Sequence, residues 1–242
     1  MLADLNCDMG EGFALYKMGD DAALMPHITQ ANVACGFHAS DANHMQRTVE
    51  LAREYGVRVG AHFSYPDLQG FGRREMKIGR EELANLLLYQ VGALSAFLRR
   101  AGLSLSHLKP HGALYGVAAR DEETAQAVAD VAKVYDVPVM GLAGTLHEEV
   151  YTGRGVEFLA EFFADLEYSD EGKLIITREH EAVDPKLAAR RALQAVRDGT
   201  LTTVGGRTLP VRAQTVCVHS DTPGAAEVAA AVRAALETGH VD

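Results

Sequence analysis

No run of about 18 consecutive apolar residues occurs, so nothing in the chain reads as a membrane span. The first twelve residues, MLADLNCDMGEG, lack a basic segment leading into an apolar one. They do not read as a secretory signal, and the expected compartment is the cytosol. Cysteine is scarce: Cys7, Cys35 and Cys217 are odd in number and far apart. That spacing excludes a structural zinc site and predicts reduced, buried thiols. Positive charge is in deficit, with 23 Lys and Arg against 33 Asp and Glu and a net charge of −10. An acidic surface repels phosphate backbones, which argues against nucleic acid as a partner. Repeats, low-complexity tracts and Pro-, Gly- or Ser-rich linkers are also missing, so residues 1–242 read as one domain. There is no G-x-x-x-x-G-K-[ST] loop, no G-x-G-x-x-G after a strand, no G-x-S-x-G elbow and no H-E-x-x-H helix.

What is present suits a well-packed globular domain. The chain has 242 residues, 48% apolar and 23% charged, enough for one large core. Short strand-like runs cover Leu2–Asn6, Ile28–Ala34, Val57–Ala61, Leu105–Lys109, Val137–Leu142, Val156–Phe162 and Gln214–Val218. Helical patterns lie between them. The clearest is the stripe Leu83, Leu86, Leu87, Val91, Leu94 and Leu98 within Glu81–Arg100; another follows Asp121, with Val128, Val131, Ala132 and Tyr135. Asp184-Pro185 and Thr222-Pro223 each read as a cap with proline at the first helical position, and Gly199 and Gly239 as helix stops. Strands alternating with helices imply a parallel sheet, either open and doubly wound or closed into a barrel. The pattern alone leaves both open.

Chemistry collects at the strand ends. Asn6, Asp8 and Glu11 follow the first run, Cys35 and His38 the second, His62 the third, and Lys109 and His111 the fourth. Glu161 and Asp165 end the sixth, and His219 and Asp221 the seventh. In a parallel α/β fold these ends share one face, where ligands bind. Strand alternation puts Asn6 and Asp8 on one side and Cys7 on the other, and pairs Lys109 with His111. Taken singly, each has a blander reading: a helix cap for Asp8 or Asp221, a structural histidine for His38 or His219, a solvated lysine before Pro110. Their recurrence at every strand end but the fifth is what core packing does not explain. His27, His44, His147, His180 and His240 carry no such signal. In the loop Tyr65–Arg74, Arg73 and Arg74 sit on a glycine-rich turn that could clamp a carboxylate or phosphate, or cover the strand ends as a lid.

The segments DLNCDMGEG (4–12), ITQANVACGFHASD (28–41), VGAHFSYPDLQGFGRREM (59–76), HLKPHGALY (107–115), EFFADLEY (161–168) and CVHSDTPGA (217–225) closely resemble the LamB/YcsF family. That family is assigned as the A subunit of bacterial 5-oxoprolinase. The resemblance implies a seven-stranded, TIM-like β/α barrel, distantly similar to NodB-type polysaccharide deacetylases. It also implies work with the B and C subunits of 5-oxoprolinase, coupling ATP hydrolysis to conversion of 5-oxo-L-proline into L-glutamate. Since the familiar ATP motifs are missing, ATP as co-substrate would use an unfamiliar site or one on a partner protein. A divalent metal such as Mg²⁺ stays open as a cofactor. Ser40, Phe63, Gly116, Leu166 and Ser220 depart from the family's usual Gly, Pro, Asn, Arg and Gly.

For lactam hydrolysis the expected catalytic residues are Asp8 as base with Glu11, His62 and His111 as proton donors, and Lys109 for oxyanion or phosphate charge. The expected substrate-binding residues are Arg73 and Arg74 for a carboxylate or phosphate, with Asn6, Asn32, His38, His219 and Asp221 as orienting groups. No residue is assigned as a metal ligand under this reading. Two alternatives remain. One is a metal-dependent, deacetylase-like hydrolase using Asp8, His62 and His38 or His111. The other is a non-catalytic scaffold subunit.

Overall fold

The computed structural model describes residues 1–175 and 181–241; His180 lies outside them. Seven parallel strands close a barrel: β1 Asp4–Met9, β2 Gln30–Ala34, β3 Arg58–Phe63, β4 Leu105–Pro110, β5 Val139–Gly141, β6 Phe158–Phe163 and β7 Thr215–Val218. Each strand pairs with its neighbour in sequence, and β7 closes on β1 through Asp4 opposite Thr215 and Asn6 opposite Cys217. The closing pair decides between barrel and open sheet. All seven expected strands are there, but β1 and β3 run further than expected, taking in Asp8 and His62.

The reason lies in which side chains face inward. Leu5, Cys7, Met9, Val33, Val59, Ala61, Leu108, Phe162, Val216 and Val218 join the apolar layer under the helices. Their alternates are Asn6, Asp8, Asn32, His62, His107, Lys109 and Glu161, all buried and linked mainly to one another. The barrel interior, usually filled by Val, Ile and Leu, is polar here. A polar residue at the end of a run therefore belongs to the strand.

The helices α1 Ala42–Tyr55, α2 Arg80–Ala101, α3 Gly112–Ala118, α4 Glu122–Tyr135, α5 Leu146–Gly153, α6 Pro185–Leu193 and α7 Ala225–Thr238 wrap the outside. On α2, Leu83, Leu87, Val91, Leu94 and Leu98 are buried, each stabilising by about 1.5–3 kcal/mol relative to exposure. Asp41, Asp121 and Asp184 cap α1, α4 and α6 through their carboxylates. Gly199 and Gly239 are left-handed stops as expected. The Thr222-Pro223 expectation fails: α7 begins at Ala225 after Gly224. The Thr222 hydroxyl donates instead to Asp165 Oδ2 at 3.3 Å, so this turn holds a site carboxylate rather than a helix end. Two short hairpins, Glu167–Tyr168 with Leu174–Ile175 and Thr200–Thr202 with Thr208–Pro210, lie in the connection from β6 to β7. Among the described residues no helix is long and apolar enough to cross a membrane.

Candidate active site

At the C-terminal ends of the strands lies a cavity of about 490 Å³, lined among others by Asp8, His62, Arg73, Lys109, His111 and His219. Residues from both ends of the sequence meet on its wall. A broader, shallower depression of about 850 Å³ beside Phe37 and Tyr89 gathers no comparable set.

Lys109 stands at its floor. Its Nζ lies 2.8 Å from Asp8 Oδ1, 2.9 Å from Glu161 Oε1 and 3.1 Å from Cys217 Sγ. Burial alone would push the Lys109 pKa down; the Asp8 and Glu161 charges outweigh it and hold the ammonium above its ordinary value. Burial likewise opposes ionisation of Asp8, but His62 and Lys109 prevail and keep its carboxyl well below the usual range. Burial pushes the thiols of Cys7 and Cys217 well up, and that of Cys35 up to about 12, so all three stay protonated and are poor nucleophiles.

Asn6 and Asn32 sit below this pair rather than on the cavity wall. Asn32 Nδ2 donates to Asp8 Oδ1 and Asn6 Oδ1, both at 2.8 Å. Asn6 Nδ2 donates to Thr215 Oγ1 at 2.8 Å and the Val216 carbonyl at 3.2 Å. With their amides so occupied they brace Asp8 and Lys109 from beneath. Beneath Asn32, His107 Nε2 meets Asn32 Oδ1 at 2.7 Å. Burial lowers the pKa of this ring to about 3, so it is neutral. Gly60 makes room for it, since a Cβ there would fall 2.1 Å from His107 Nε2. The sequence pattern pointed to no part in the site for His107 or Cys217, and placed Glu161 at a strand end without a role. Their parity with Lys109, Phe163 and His219 was the available signal.

On the other side of Asp8 three imidazoles surround the buried Glu11. Glu11 Oε1 lies 3.1 Å from His38 Nε2 and 3.2 Å from His111 Nδ1, and His62 Nε2 lies 3.3 Å from Asp8 Oδ2. Burial would raise Glu11, yet its close contacts with His111 and His38 hold it far below the ordinary carboxylate range. His38 is fully buried, stacked on His111 at 3.8 Å between ring centres, and pushed down by burial to about 3. It braces the site from behind the cavity wall. Donor atoms of Glu11, His38, His62 and His111 all lie within 4.8 Å of one another, a set that could hold a metal ion.

The rim is built from β6, β7 and the loop after β3. Asp165 accepts from the His219 backbone N–H at 2.7 Å and lies 3.1 Å from its Nδ1. Burial works against a charged His219, but the Asp165 charge wins and raises its pKa to about 9. Its Nε2 lies 3.9 Å from Asp8 Oδ2. Arg73 pairs with Asp221 at 2.7 Å, and Arg74 with Asp67; both arginines, with Arg120, line the cavity. The two arginines therefore do not form one fork. The 65–74 loop is also no loose flap: Ala113 N–H donates to the Gly72 carbonyl and His111 Nε2 to the Phe71 carbonyl.

The whole length has counterparts. The 5-oxoprolinase A subunit of Syntrophobacter fumaroxidans is 49% identical, the match covering 100% of this chain and 97% of that protein. The crystal structure of lactam utilization protein from Thermus thermophilus superposes with a TM-score of 0.92 at 45% identity, covering 100% of this chain and 98% of that one. Far looser is the overlay with T48 deacetylase, at a TM-score of 0.43 and 12% identity over 99% of this chain and 87% of the other. The LamB/YcsF sequence profile matches residues 3–242, and the chain belongs to the LamB/YcsF family.

Proposed function

We propose that this chain is the A component of an ATP-dependent 5-oxoprolinase, working with the B and C subunits to open the lactam of 5-oxo-L-proline to L-glutamate. The observation that carries this reading is the full-length likeness to a 5-oxoprolinase A subunit. The cavity supports it, because it offers cations for an anionic substrate beside acids and bases for its amide.

A five-membered lactam resists water because attack forfeits amide resonance. Transfer of the ATP γ-phosphoryl group to the lactam oxygen would leave ADP and an imidate-like phosphate ester with an electrophilic carbon. Water then adds at that carbon and gives a proton to Asp8, a carboxylate kept ionised by Lys109 and His62. The tetrahedral carbon collapses to an acyl phosphate as the C–N bond breaks, and a second water hydrolyses that acyl phosphate to the carboxylate and inorganic phosphate. The ring nitrogen takes its proton from His219, whose imidazolium is maintained by Asp165. Lys109 faces the oxygen on which negative charge develops. Arg73, Arg74 and Arg120 on the cavity wall suit the substrate carboxylate or the phosphoryl group. ATP is bound on this chain or shared with a partner protein.

A scaffold has no use for such an arrangement. Burying each ion costs several kcal/mol before pairing recovers it, and Asp8, Glu11 and Lys109 are all buried. The test is glutamate formation by the three purified proteins with 5-oxoproline and ATP, omitting each in turn. Asp8→Asn is the informative variant, since Lys109→Ala would strand two buried acids and unfold the barrel for unrelated reasons. Asp8→Asn should keep the fold and abolish glutamate formation. Near-normal turnover, or a reaction that proceeds without this chain, overturns the assignment.

A further inference from the structure

The hydrogen bonds around His62 and His111 fix their tautomers and leave a contradiction. His62 Nδ1 lies 3.0 Å from the Lys109 carbonyl, and His111 Nε2 2.8 Å from the Phe71 carbonyl. Carbonyl oxygens only accept, so both of these nitrogens carry hydrogens. In neutral rings the opposite nitrogens, His62 Nε2 and His111 Nδ1, then present bare lone pairs to each other at 2.9 Å. Glu11 Oε1, another acceptor, is 3.2 Å from the second. Three acceptors converging on one point require a positive charge between them, a proton shared by the rings or a metal ion.

The backbone is bent to sustain this. Phe71, a bulky residue, takes a left-handed φ of 54° and aims its carbonyl at His111. Next to it Gly72 has no room for a side chain, since a Cβ would fall 2.8 Å from His111 Cδ2 and from His38 Cβ. Carbonyls that orient the far nitrogen of a ring are what metal-ligating histidines have behind them. The spacing fits as well. A tetrahedral ion with bonds of about 2.0–2.1 Å to nitrogen separates its ligands by roughly 3.3 Å. Here the three donors are 2.9 Å, 3.2 Å and 3.8 Å apart, and His62 Nε2 lies 3.3 Å from Asp8 Oδ2.

We propose that His62 Nε2, His111 Nδ1 and the Glu11 carboxylate, with Asp8 adjoining, form a binding site for a divalent transition ion of the Mn²⁺-to-Zn²⁺ series. Two imidazole donors select against Mg²⁺ and Ca²⁺, which take oxygen. His38 is a positioning residue. Its Nδ1 is buried without a hydrogen-bond partner, so ligation through Nε2 would place an unpaired N–H there. Donation from Nε2 to Glu11 avoids that cost. The site shares the cavity of the lactam reading and deepens it, but its test does not depend on that reading.

Chelator-stripped chain, without its partners, is titrated with Co²⁺ and followed by visible absorption, with Zn²⁺ retention measured by equilibrium dialysis. One equivalent should bind, and Mg²⁺ in large excess should not displace it. Glu11→Gln, or Glu11→Asp where the first does not fold, should weaken binding by about tenfold or more. Arg53→Gln, on the exposed face of α1, should bind as the parent does. Absence of a retained equivalent, or unchanged affinity in a folded Glu11 variant, means that only a proton bridges the rings, and the site is refuted. Full lactam conversion by exhaustively stripped protein would likewise refute a metal role in catalysis while leaving the proposed activity intact. Tight binding without lactam conversion would do the reverse.

Discussion

An exposed histidine is mostly neutral at pH 7, but His219 is enclosed by Asp165 and the ring of Phe163, stacked at 5.5 Å between centres. Its side chain is only 14% exposed, so the Asp165 charge acts with little screening and the ring stays an imidazolium up to about pH 9. That makes it a better proton donor to a leaving amine than His62 or His111, each of which has one nitrogen committed to a backbone carbonyl and the other turned toward Asp8 or Glu11. His219→Gln should lower turnover of the assembled system by about 10²–10⁴-fold, the usual worth of a general acid. Asp165→Asn should leave the acid in place and shift the alkaline limb of the kcat/KM profile from near pH 9 toward ordinary histidine values. An alkaline limb that does not move would remove His219 from the acid's role.

At the scale of loops and strands, Ser40 is informative. It sits in the turn before α1 with a φ of 76° and donates its N–H to the Gly12 carbonyl at 2.7 Å. The family's usual glycine suits that backbone; a side chain there costs about 1–2 kcal/mol. Glycine returns part of this through its greater freedom when unfolded, about 0.5–1 kcal/mol. Ser40→Gly should therefore raise unfolding free energy in urea by up to about 1 kcal/mol, and a loss would show that the serine hydroxyl contributes more than the strain. Such a conformation cannot be read from composition, and the same limit applies across the chain. The seven strands were legible because their outward faces, Leu5-Cys7-Met9 or Val216-Val218, are apolar. Their ends were not, because inward residues such as Asp8 and His62 look like loop chemistry. The convergence of Asp8, His62, Lys109 and His219 followed from topology alone. Who pairs with whom did not: Arg73 goes to Asp221, Arg74 to Asp67, and Thr222 to Asp165 instead of a helix end. Those pairings depend on distances that spacing along the chain does not encode.

For the molecule as a whole, the buried histidines set the response to pH. His38 and His107 are held neutral to about pH 3 and His147 to about pH 4, all by burial, against an ordinary value of 6.5. His147 is structural, accepting from the Leu142 N–H at 3.1 Å and donating to the Tyr115 carbonyl at 3.0 Å. Below pH 6.5 the unfolded chain binds three protons that the fold refuses, so stability falls with acid. The slope approaches roughly 4 kcal/mol per pH unit, at about 1.4 for each proton. His219 works in the opposite direction. Its raised pKa contributes stability that is complete below about 6.5 and lost as pH rises through about 9, at no more than about 1.4 kcal/mol per unit. Stability should thus peak near the ordinary histidine pKa, with an acid limb steeper than the alkaline one. A typical domain stability of about 5–15 kcal/mol would be consumed within a few pH units of acid. Asp8 and Glu11 do not oppose this, because the stability from their depressed pKa values is lost only as acid reaches the carboxylate range. Urea unfolding between pH 4.5 and 9 measures the curve (with about one point per half unit enough to define both limbs). His147→Gln should remove one proton, reducing the acid slope by about a third even though the variant is less stable throughout. A flat curve from pH 5 to 6.5 would mean that these rings take up protons inside the fold, and that the polar barrel interior is wetter than its geometry implies.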